Sequence, residues 1–181
     1  MRTFCRLLTV ATLAAGVAAA APPAQAEAVP TKVLVRAISR DAKVISSHVG
    51  GARITIRDVA TGAVLAEGIQ QGGSGDTRLI MQEPHARGTT VYDTPNAASY
   101  VATLLLERPT VVEVTAEGPL SAPQAMQRTS KTLLLVPGQD VLGEGILLEI
   151  HGFIVELLAP DETAELKVGQ PLEVQATVRM A

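Results

Sequence analysis

The chain has 181 residues, 47% of them hydrophobic and only 2% aromatic, with a formal net charge of −3. A mildly acidic balance disfavours nucleic acid and anionic membrane surfaces as partners, and so few rings leave little with which to stack bases. Cys5 is the only cysteine, so an intrachain disulfide is excluded.

Residues 1–26 carry the first organised signal. Arg2 and Arg6 precede an uncharged apolar run, Leu7 to Ala21, and Ala24-Gln25-Ala26 supplies the small-x-small pattern accepted by signal peptidase before Glu27. The run is shorter than the roughly 20 residues of a spanning helix. These features predict a cleaved secretory signal peptide over 1–26 and a single domain over 27–181, periplasmic or secreted. Cys5 precedes the apolar run and is not at the cleavage point, so no lipid anchor is expected there. Loss of Arg2 and Arg6 leaves 13 basic against 18 acidic residues, or −5. No later stretch of membrane-spanning length is free of charge or glycine, so the processed chain is not expected to be membrane-embedded. Its length suits one domain with a core of Val, Ile, Leu and Ala.

Period-two alternation then runs through most of the chain. Val33, Val35 and Ala37 alternate with Leu34, Arg36 and Ile38, which predicts a first strand partly buried on both faces. Ala52, Ile54 and Ile56 alternate with Arg53, Thr55 and Arg57, the pattern of a strand with one face inward. Asp58 to Gly62 has turn composition, with Gly62 free to take a positive φ, and a return strand follows at Val64 to Ile69.

From Gln70 to Asn96 the alternation stops. Gly72, Gly73 and Gly75 suggest a flexible connection, with a short helix or edge strand near Arg78 to Gln82. Long loops of this kind are often functional, which makes Gly72 to Pro95 the first candidate for a contact surface.

Strands resume at Ala98 to Leu106 and Val112 to Glu117. The short Arg108-Pro109-Thr110 link predicts that these two form an antiparallel hairpin. Further strands are expected near Ser130 to Val136 and from Ile146 to Leu158, the latter bent at Gly152 by a bulge or a close contact. Asp161 to Leu166 fits a single helical turn. Leu172, Val174, Ala176, Val178 and Met180 alternate with polar residues, predicting a strand that closes a sheet. Eight or nine short strands indicate an all-β, antiparallel sandwich of Ig-like or prealbumin-like type.

Gly51-Ala52-Arg53-Ile54-Thr55-Ile56-Arg57-Asp58, followed by Thr61-Gly62-Ala63-Val64-Leu65-Ala66-Glu67-Gly68, resembles the first hairpin of carboxypeptidase regulatory-like domains. Those domains share the transthyretin-like (prealbumin-like) sandwich. The resemblance spans about 20 residues and implies such a sandwich, acting as a noncatalytic module. The transthyretin-group hydrolases of hydroxyisourate end in Tyr-Arg-Gly-Ser, whereas this sequence reads Thr177-Val178-Arg179-Met180-Ala181, so that activity is not implied.

Chemical motifs are sparse. His48, His85 and His151 are far apart in sequence, with no His-x-His or His-x3-His pair to suggest converging metal ligands. Gly72-Gly73-Ser74-Gly75-Asp76-Thr77 lacks the lysine of a phosphate loop and the repeats of a calcium-binding glycine array. Asp76 also replaces the last glycine of a nucleophile elbow, although a Ser74–His85 pair can be posed. The sequence therefore predicts no enzyme, no cofactor, and no catalytic or metal residue. It leads to an extracytoplasmic interaction module whose partner is a protein, such as a cell-envelope complex or transporter. The alternative expectation is a small-ligand or metal-binding accessory of a membrane transporter, using His48, His85 or acidic side chains.

Overall fold

The computed structural model describes residues 27–40, 42–165 and 167–181; the predicted signal peptide, 1–26, lies outside them. Among the described residues there are nine strands, one short α-helix and two 3₁₀ turns. The strands are β1 (Val29–Ser39), β2 (Arg53–Asp58), β3 (Val64–Ile69), β4 (Tyr100–Leu106), β5 (Thr110–Gly118), β6 (Gln127–Leu135), β7 (Val141–Ile150), β8 (Phe153–Ala159) and β9 (Gln175–Met180). Helix α1 (Thr77–Met81) interrupts the long connection between β3 and β4.

Two sheets, β4-β1-β7 and β3-β2-β5-β6, face one another as an all-β sandwich. Alternation supplies both inner faces. Val33, Val35 and Ala37 of β1 join Ala102 and Leu104 of β4 and Ile146 and Leu148 of β7 against Ile54 and Ile56 of β2 and Val112 and Val114 of β5. The predicted β2–β3 hairpin is present. Asp58 Oδ1 accepts from the amides of Ala60 (2.7 Å) and Thr61 (3.2 Å), and Gly62 turns the chain at φ 73°. Slight burial pushes the Asp58 carboxyl up; these amides, the Thr61 hydroxyl and the Arg108 charge outweigh it and hold the group below its ordinary range.

Four local expectations are corrected. β4 and β5 are not a hairpin: β4 pairs with β1 and β5 with β2 and β6, so the Arg108–Pro109 link crosses from one sheet to the other. Alternation marks an inward face but does not say which sheet owns it. The sandwich is not wholly antiparallel, because β1 runs parallel to β7. The stretch Ile146 to Leu158 belongs to two strands, since the chain leaves the sandwich at His151-Gly152. Gly152 is the close contact expected there: a Cβ on it would lie 2.6 Å from that of Ser39. The last strand does not close a sheet of the sandwich, for β9 pairs only with β8 in a separate two-stranded ribbon. Near Asp161 the chain makes a turn, Ala164 N to Asp161 O at 2.9 Å, while Leu166 lies outside the described residues.

Candidate interaction surface

The segment between β3 and β4 is tied down along its length. Gly73 and Ala97 form a parallel bridge, and Gln71 and Ser99 an antiparallel one. Asp76 caps α1, accepting from Arg78 N and Leu79 N at 3.0 and 3.1 Å, and its own amide donates to Thr94 Oγ1 at 2.9 Å. The segment covers the outer face of β1, where Ile38, Val44 and Ala98 form a second small core with Ile80, Tyr92, Ala97 and Leu147. That cover explains why β1 is buried on both faces.

Arg36 fastens the cover. Its side chain is 4% exposed and pairs with Asp93 at 2.8 Å. The same guanidinium donates to the carbonyls of Gly143 and Glu144, the latter at 2.8 Å. Both carbonyls come from an irregularity in β7 at which Gly143 and Gly145 adopt φ 71° and the register to β1 jumps between Val33 and Val35. A Cβ at position 145 would sit 2.4 Å from the Leu34 carbonyl oxygen, so only glycine fits there without rearrangement. The Glu144 carboxylate in turn accepts from the amides of Val91 and Tyr92. The candidate contact loop is thus held as a strap by charge-assisted bonds.

The histidines stay apart. His48 lies in an exposed 3₁₀ turn, His85 in the strap with Nε2 donating to Ile80 O at 3.3 Å, and His151 in the exposed link to β8. No three His, Cys, Asp or Glu side chains among the described residues are grouped to hold a metal ion. Ser74 and His85 share no hydrogen bond; the Ser74 carbonyl accepts from Val44 N instead. A cleft of about 370 Å³ lies beside His151, between Arg40 and Arg128. Its cations already have carboxylate neighbours, Glu149 at 2.8 Å from Arg40 and Glu117 at 3.7 Å from Arg128. It adjoins a smaller hollow where Arg40 and His151 meet Phe153 and Met180 at the root of the ribbon.

The ribbon is where apolar surface is left open. Its cross-strand pairs Phe153–Met180, Val155–Val178 and Leu157–Ala176 put six apolar side chains on one face. Phe153 is 62% exposed, Val155 52%, Leu157 59%, Val178 62% and Met180 42%. Only the root is anchored: Ile154 and Ala181 belong to the main core, and Ala181 N donates to Gly152 O at 2.8 Å. Five of the 20 large hydrophobic residues exposed among the described residues share this one small face, which makes it a contiguous apolar patch. The alternation that marks this face is plain in the sequence, where it reads as core.

No protein-family model, curated protein or solved structure matches the chain. No helix among the described residues is long and apolar enough to cross a membrane.

Proposed function

We propose that the processed chain is a noncatalytic, extracytoplasmic β-sandwich module, periplasmic or secreted, whose task is to bind a protein partner, and that the β8–β9 ribbon is the binding surface. The residues 1–26 pattern of charge, apolar run and Ala24-Gln25-Ala26 supports export. The observation that carries the binding role is the uncharged apolar face of the ribbon. A two-stranded ribbon is marginal in water without a covering layer, and an open apolar patch of this kind marks a protein contact. The strap, Gly72 to Pro95, is the weaker surface, because its hydrogen bonds and its apolar side chains are largely spent on the sandwich.

Photo-crosslinking in the exporting host tests this reading. A photoreactive residue at Val178 should give a discrete protein adduct, and one at Gly88, in the exposed part of the strap, should give none. Adducts from Gly88 with none from Val178 would overturn the assignment of the surface.

A further inference from the structure

We infer that the ribbon is covered by a second copy of this chain, stacked face to face about a two-fold axis; this rests on the reading of the ribbon as a binding surface and names its partner. Three features of the face support a self-complementary, isologous contact. First, none of its six side chains is charged, so its own copy is an uncharged counterpart that strands no ion on burial.

Second, side-chain size is graded along it. Phe153 and Met180 lie at the root, the Val155–Val178 pair at the centre, and Leu157 and Ala176 farther out. A two-fold axis in the plane of the contact, running across the strands at the central pair, reverses strand direction between copies. It lays each Phe153 over the other copy's Leu157 and each Met180 over the other copy's Ala176, large against smaller, at the ~10 Å spacing of packed sheets. Third, the same axis puts the two sandwiches at opposite ends, because each is joined to its ribbon at the root.

Area sets the strength. The six side chains offer on the order of 500 Å² per copy, and two copies would bury about 1,000 Å², the lower bound for a specific contact. Such a dimer dissociates on dilution.

Sedimentation velocity of the processed protein over a range of concentrations tests the inference with three proteins: wild type, Val178→Lys and Thr177→Lys. Val178 and Thr177 are both exposed and lie on opposite faces of β9, so neither change should unfold the sandwich, which an unfolding transition verifies. The wild type and Thr177→Lys should shift from monomer to dimer as concentration rises. Val178→Lys, which sets two ammonium groups at the axis, should weaken association at least about tenfold, or 1.4 kcal/mol. A wild type that stays monomeric throughout overturns the second-copy assignment, while the adduct at Val178 separately decides whether the ribbon binds a different protein. A dimer indifferent to Val178→Lys overturns the choice of face.

Discussion

Gln70 is fully buried, with a polar side chain among apolar neighbours, and its amide is completely used. Oε1 accepts from Ala37 N at 2.6 Å, while Nε2 donates to Ala37 O at 3.0 Å and to Ile45 O at 2.7 Å. One side chain thus completes the backbone of β1 where the chain folds back towards Val44. Replacing it with alanine strands the Ala37 amide and the Ile45 carbonyl in the interior, while Ala37 O keeps its bond from Ile45 N. Gln70→Ala should cost about 2–4 kcal/mol of stability, measured by urea unfolding, whereas substitution of the exposed neighbour Gln71 should change little. Gln70 escaped the sequence reading because a glutamine after a strand looks like the start of a loop. Its partners are 25 and 33 residues away, and nothing local announces them.

At the scale of elements, the strap and the irregular β7 work as one unit. Arg36 joins Asp93 of the strap to two β7 carbonyls at the irregularity where Gly143 and Gly145 turn the backbone. Arg36→Met should keep the aliphatic contact but release the strap, costing about 2 kcal/mol, less than a fully buried pair because Asp93 is 45% exposed. Hydrogen exchange at Val91 and Tyr92 should rise while that of β2 and β5 stays slow; unchanged exchange at those two amides would show that the strap is held by its apolar side chains. The β2–β3 hairpin was legible because its signals are contiguous: alternation, an aspartate that accepts its own turn amides, and a glycine at positive φ. The two-sided burial of β1 was legible for the same reason. Strand partners were not, since the same alternation in β4 and β5 serves either sheet. The strap's order was hidden by its glycines, which permit a flexible loop and a fixed one equally and are here fixed by residues distant in sequence.

Across the whole molecule, a sandwich with an apolar core carries a ribbon that has no layer of its own. The inward faces of both sheets meet each other, and the outer face of β1 has the strap. The face of Phe153, Val155 and Leu157 with Ala176, Val178 and Met180 is left largely open to solvent, with Arg40 and His151 beside only its root. The alternation in these strands showed that a face should be buried, and sequence alone could not say that the sandwich would fail to bury it. The proposed binding role rests on that mismatch. The most direct measurement is amide hydrogen exchange across β8 and β9 in the processed protein, at high and low concentration. If the face is covered by another copy, the ribbon amides are protected at high concentration, and protection falls on dilution and in Val178→Lys while the sandwich stays protected. Ribbon amides that exchange at free-peptide rates at every concentration, beside a protected sandwich, would contradict self-covering; the same result in the presence of the protein crosslinked at Val178 would remove the ribbon as the binding surface.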